Sequence, residues 1–259
     1  MNLKAISSIF FIIATLTACT SSSRNSTENV TLTLIDVAFD KQTGTIREYF
    51  SDYKNIIIPN NFEGVSVTSI AQDAFYKKGL TSVVIPDSVK NIGEYAFYEN
   101  ELISAEIPNS VTAIGERAFS RNALTRINIP TELSVINSNV FSSNMLTQVV
   151  IPNSVTEIKW GAFGHNALTN LTLSNNLVSI DMAAFYNNAL TNLIIPRSVE
   201  SIRKEAFSNN ALTKVVIPNS KLYIAKDVFL NNNLIEVVLP WAARSAEDAF
   251  DEGVVIKRN

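Results

Sequence analysis

Apolar and polar positions recur along most of this chain with a period of 22 residues. Phe75, Phe97, Phe119, Phe141, Phe163, Phe185, Phe207 and Phe229 keep that spacing, and Phe250 follows one residue early. Leu80, Leu102, Leu124, Leu146, Leu168, Leu190, Leu212 and Leu234 form a second column, and Ile92 to Ile224 a third. Pro86, Pro108, Pro130, Pro152, Pro196, Pro218 and Pro240 share one register, with Ser174 in the single gap. A fixed period of this length is the signature of a solenoid, whose units bury their apolar faces only by stacking.

Within a unit two patterns alternate. In LTSVVIP, from Leu80 to Pro86, the apolar Val83 and Ile85 alternate with Ser82 and Val84. A period of two predicts a strand with one face inward. Pro86 lacks an N–H and ends the ladder there. The return segment through Val89, Ile92, Ala96 and Phe97 fits a short helix, a 3₁₀ turn or a second short strand equally well. A typical unit reads NALTRINIPTELSVINSNVFSS, from Asn122.

The pattern L-x-x-[VIL]-x-[IL]-P-x-x-[VL]-x-x-I-x-x-x-A-F resembles the leucine-rich repeat of the BspA-like class. The resemblance runs from about Ile56 to Phe250. It implies a leucine-rich-repeat solenoid with a parallel β-strand face. Its back segments are short helical, 3₁₀ or extended pieces. The irregular ends predict caps. Residues 30–59 carry strand-like runs around a hairpin loop at 40–44 and read as a β-rich N-terminal cap. The solenoid proper occupies 60–240, and 241–259 breaks register as a C-terminal cap. The first Pro-to-Phe interval, 59–75, holds an insertion near Asn61 to Gly64.

Asn100, Asn122, Asn144, Asn166, Asn188, Asn210 and Asn232 stand two residues before the column Leu. Asn tolerates left-handed conformations and can both donate to and accept from backbone groups. Stacked at one register, these amides predict a structural ladder between coils. They account for part of an unusual surplus, 29 Asn in 259 residues.

The first residues read as an address rather than as fold. Residues 1–18 combine a weakly basic start with an apolar run of about a dozen residues, too short to span a bilayer as a helix. Leu16-Thr17-Ala18-Cys19 resembles the bacterial lipobox, which implies lipidation at Cys19. Residues 19–29 would then be the lipidated Cys and a polar, flexible tether. Thr20 after the Cys, by resemblance to Gram-negative lipoproteins, favours the outer membrane or cell surface.

Composition narrows the chemistry. With 21 basic and 24 acidic residues the net charge is -3, which gives no footprint for nucleic acid. One Cys and one His exclude a disulfide framework, a Cys/His metal site and the familiar nucleophilic pairs. His165 lies in a variable loop column, so no catalytic residue, metal site or cofactor is assigned, and the membrane is reached through the lipid anchor alone.

Binding would use the strand face. Its outward positions include Arg126, Asn128, Gln148, Val150, Asn170, Thr172, Asn192, Ile194, Lys214 and Val216. Eight strands about 4.8 Å apart make a surface roughly 35–40 Å long, enough for a protein or an extended glycan. Resemblance to BspA-like proteins implies adhesion or protein–protein interaction. An envelope-assembly role or glycan capture as an accessory lipoprotein fits the same residues.

Overall fold

The computed structural model describes residues 28–259. The chain forms a parallel β-solenoid of about 10 turns, and the described residues contain no helix. We number coils 1 to 8 from Leu80, Leu102, Leu124, Leu146, Leu168, Leu190, Leu212 and Leu234. The strand face is built from Ser82–Val84, Ser104–Glu106, Gln148–Val150, Asn170–Thr172, Asn192–Ile194, Lys214–Val216 and Glu236–Leu239. Val30–Thr31 and Asn55–Ile57 extend it at one end and Val255–Arg258 at the other.

The return segments are extended, not helical. Two-residue strands such as Asn91–Ile92, Ala113–Ile114 and Glu157–Ile158 stack into a second parallel ladder. Each coil then turns through two left-handed corners, two residues before and two after its Phe. They are Asp73 and Lys77 in the first case, then Tyr95 and Glu99, with φ between 51° and 58°. Such angles cost a non-glycine residue roughly 1–2 kcal/mol. What offsets them is a third set of inter-coil bonds. Asp73, Phe75 and Lys77 donate their N–H groups to the carbonyls of Glu94, Ala96 and Tyr98 at 2.8–3.0 Å. A helix would spend those same N–H groups within its own segment, leaving the coils unbonded at this corner.

The core is one continuous stack. Successive Phe rings from Phe75 to Phe250 lie 5.0–5.9 Å apart, tilted by 4–22°. Tyr49 closes the N-terminal end of the stack, 5.3 Å from Phe75. Tyr49 ends the strand Thr45–Tyr49, which pairs antiparallel with Val37–Asp40 and parallel with Ser69–Ile70. The insertion folds into a second hairpin, Asn61–Phe62 against Val65–Ser66. Its central residues Glu63 (φ 49°) and Gly64 (φ 83°) supply the positive angles that a two-residue turn needs. Phe62 is buried and lies 4.9 Å from Phe39 of the first hairpin. At the other end the Asp251 carboxylate accepts from the N–H groups of Asn231 and Asn232, at 2.8 and 3.0 Å.

The solenoid has a seam between coils 2 and 3. The second ladder ends at Ala113–Ile114 and restarts at Val135–Ile136, and the strand face skips 126–128. Two asparagines of coil 3 bridge the seam with their side chains. The Asn128 amide accepts from Ile107 N–H at 3.2 Å and donates to Ile107 C=O at 2.5 Å. Asn137 Nδ2 donates to Ile114 C=O at 2.7 Å. Elsewhere main-chain groups make these contacts, as in Ile151 N to Thr172 O and Gly115 N to Ile92 O. A change of packing coincides with the seam. A Cβ on Gly93 or Gly115 would lie 2.4 Å from backbone of the preceding coil, so these coils approach too closely for any side chain. From coil 3 on, the same column holds Asn137, Lys159, Asp181 and Arg203, and that close approach cannot continue.

Candidate binding face

The Asn column forms a regular inter-coil device. Each Oδ1 accepts from the N–H of the column Leu one coil earlier, at 3.0–3.1 Å from Leu80 to Leu212. Each Nδ2 donates to the carbonyls of two successive core Phe. For Asn166 these are Phe141 and Phe163, at 3.0 and 3.1 Å. One side chain thereby satisfies three backbone groups that the sharp turn strips of main-chain partners. Asn100, Asn122, Asn144, Asn188, Asn210 and Asn232 do the same.

This ladder holds the entry to the strand face in register. Gln148, Asn170, Asn192 and Lys214 project outward as one polar row. Beside it stand Val150, Thr172, Ile194, Val216 and Val238. Val150 and Ile194 are 66% and 69% exposed, and Val216 and Val238 are also exposed. A β-branched residue on an open face follows strand propensity, but Ile194, Val216 and Val238 in one row make an exposed apolar stripe, with Val150 beyond Thr172.

Arg126 and Asn128 sit differently. Residues 126–128 form no strand with either neighbour. Arg126 is exposed, whereas the Asn128 amide is occupied by Ile107. The sequence-predicted row is therefore interrupted at coil 3 and divided over two sheets, Gln148–Val150 with Asn170–Thr172 and Asn192–Ile194 with Lys214–Val216.

A second cluster lies on the back corner, where Tyr76 and Tyr98 share one column of the repeat and Tyr95 and Arg117 another. The Arg117 guanidinium lies 5.6 Å from the Tyr95 ring and 5.8 Å from the Trp160 ring, and donates to Tyr95 Oη at 2.5 Å. It links coils 1, 2 and 4 across the seam. Tyr76 and Tyr98 stack at 5.7 Å, with Lys77 over one ring and Arg121 over the other. Glu99 pairs with Lys77 at 2.9 Å and with Arg121 at 3.4 Å. The Lys77 hydrogen bond, the largest influence, holds the Glu99 carboxyl below its ordinary range. These contacts occupy the charged groups with one another. His165 is exposed on its corner, with Nδ1 3.1 Å from the Asn187 amide. Among the described residues no group of three or more His, Cys, Asp or Glu is placed to hold a metal ion.

Comparison with known proteins agrees with this geometry. The chain is similar in structure to the T. pallidum leucine-rich-repeat protein, at 26% identity and a TM-score of 0.50 over 70% of this chain and 78% of that one. It also resembles a leucine-rich-repeat protein from Eubacterium ventriosum in fold, at 20% identity and a TM-score of 0.50, covering 78% of this chain and 63% of that one. No curated protein matches the sequence. The BspA type leucine-rich-repeat region matches residues 48–169 and 135–253, in six copies. The chain belongs to the BspA-type leucine-rich-repeat family.

Proposed function

We propose that this chain is a surface-anchored module that binds a protein partner through its strand face, in adhesion or in another protein–protein contact. The observation that carries the reading is the exposed apolar row of Ile194, Val216 and Val238, with Val150 beyond Thr172, beside the polar row of Gln148 to Lys214 on the strand face. Family membership supports an interaction module, because leucine-rich-repeat proteins generally bind proteins. An apolar stripe flanked by hydrogen-bonding groups matches the core-and-rim anatomy of protein interfaces. Anchoring rests on the lipobox-like segment at Cys19, which lies outside the described residues. It would place the module on the outer membrane or cell surface.

Two measurements test this. The purified full chain is applied to arrays of matrix proteins, whole cells and glycans, beside Ile194→Lys and Val216→Lys variants. Binding to a protein ligand that both substitutions weaken, at unchanged melting temperature, is the expected result. Folded wild-type chain that binds nothing, or binding indifferent to both changes, would overturn the reading. For the anchor, metabolic labelling with a clickable fatty acid should mark the wild-type chain and not Cys19→Ser.

A further inference from the structure

The two ends of the solenoid are finished differently. At the N-terminal end the core is closed, with Leu32, Val37 and Tyr49 at most 3% exposed. The outer strands there are poor templates for further pairing. Val30–Thr31 has two residues, and Val37–Asp40 carries a bulge between Ala38 and Phe39. At the C-terminal end Val255–Arg258 is the last strand of its sheet and pairs in unbroken register over four residues. Val255 and Asn259 donate their N–H groups to the carbonyls of Ile235 and Leu239. The alternation of a parallel ladder then turns the N–H and C=O groups of Ile256 and Arg258 outward. Ile256 is directed to the core, paired with Val237, yet it is 39% exposed where Val237 is 1%. Phe250, the last ring of the stack, and the 75% exposed Trp241 line the same open hollow of about 550 Å³.

We propose that this end is an interface with a second copy of the chain, in which Val255–Arg258 pairs antiparallel with itself across a two-fold axis at Ile256. Each Ile256 exchanges both outward backbone bonds with its counterpart, and the two side chains meet over the two open cores. One isologous contact thereby closes both ends. Charge selects the same arrangement. The segment is acidic before the strand, at Asp251 and Glu252, and basic at its end, at Lys257 and Arg258. Antiparallel pairing sets the basic end of each copy beside the acidic start of the other. An axis at Ile256 places Lys257 opposite Val255 of the second copy, and leaves it paired with its own Glu236 at 2.6 Å. An axis at Lys257 would set two lysines against each other, which costs stability. Head-to-tail stacking would need a receptive N-terminal edge, which the short strand and the bulge deny. In the two-fold pair the strand faces join one sheet and point to the same side, so each dimer presents two copies of the face. Pairing at this end is independent of what the strand face binds.

The test is sedimentation velocity over a range of micromolar concentrations. It uses the full chain carrying Cys19→Ser, which removes the only thiol and any lipid attached to it. A reversible dimer is expected. Ile256→Lys puts an inward-pointing charge on an edge strand and should weaken the dimer about tenfold or more, at unchanged melting temperature. A second measurement needs no destabilising change. In the same background Ile256→Cys should give a disulfide-linked dimer on oxidation, because the paired Cα atoms would lie about 5.5 Å apart. Lys257→Cys should not, because the axis sets its two copies beyond disulfide reach. A parent chain that stays monomeric, or a dimer indifferent to Ile256→Lys, would overturn the proposal. So would a dimer that Ile256→Cys fails to link, or one that Lys257→Cys links as readily.

Discussion

Two arcs of one solenoid, before and after the seam, obey the same 22-residue pattern and are built differently. The N-terminal arc packs two glycines, Gly93 and Gly115, against the preceding backbone and lines its corner with Tyr76, Tyr95, Tyr98 and Arg117. Its strand face is mostly polar. The C-terminal arc has side chains in the glycine column, an unbroken six-stranded second ladder and the apolar stripe. Preserved core columns therefore fix the coil and its stacking, but not the continuity of every ladder. Where the corner packing changes, side-chain amides and a cation–π clamp add to the main-chain bonds from Arg117, Phe119 and Arg121 to Ser138, Val140 and Ser142.

The largest effect should separate the arcs. Phe119 and Phe141 face each other across the seam at 5.9 Å, the widest step of the stack, whereas Phe163 and Phe185 stand at 5.4 Å within the C-terminal arc. Replacing either Phe119 or Phe185 by Ala should cost about 3–5 kcal/mol. Phe119→Ala should also split thermal unfolding, followed by circular dichroism, into two transitions. Phe185→Ala should lower the main transition of the C-terminal arc without separating it at the seam. A single shared transition for Phe119→Ala would remove the idea of a weak junction.

Next in size is the amide ladder. Asn166→Ala leaves Leu146 N–H and two Phe carbonyls without their partner, which should cost about 1–3 kcal/mol in chemical denaturation. An unchanged midpoint would sink the ladder. Arg117→Ala should cost about 1 kcal/mol through lost ring contacts. Its distinctive readout is faster amide exchange at 104–114 and 135–140, with coils 6 and 7 unaffected.

The smallest effect lies in the N-terminal hairpin. Arg47 donates to Asp40 at 2.5 Å, and that bond chiefly holds the Asp40 carboxyl down from 3.8 to about 2. A depressed carboxyl stabilises the fold above its unfolded value, and that contribution fades as pH falls from about 4 toward 2. Both groups are at the surface, so the change should be slight and screened by salt. Asp40→Asn should flatten the acid limb of the melting curve without moving its neutral value.

Much of the fold is legible in the chain because its determinants are periodic. The Phe, Leu, Ile and Pro columns announce a stacked core, and one unit's pattern of two announces the strand. The back of the coil is not legible. Val89, Ile92, Ala96 and Phe97 suit a helix as well as an extended turn, and inter-coil N–H bonds decide between them. The unit from Asn122, the most regular to read, holds the one strand that does not form. There the Asn128 side chain outcompetes its own backbone for Ile107, as short amides do. The Tyr95–Arg117–Trp160 clamp left little, because Tyr95 and Arg117 share a corner column of mixed residue types and Trp160 stands in another column two coils on.

The sequence alone determined that the chain winds, what fills its core, and that familiar catalysis lacks its residues. These follow from repeated apolar spacing and from residue types, which need no knowledge of neighbouring coils. Only the tertiary structure decided that the back is extended, that a seam divides the solenoid, and that coil 3 forms no strand. Each depends on how closely one coil approaches the next, a distance set by contacts between residues about 22 positions apart.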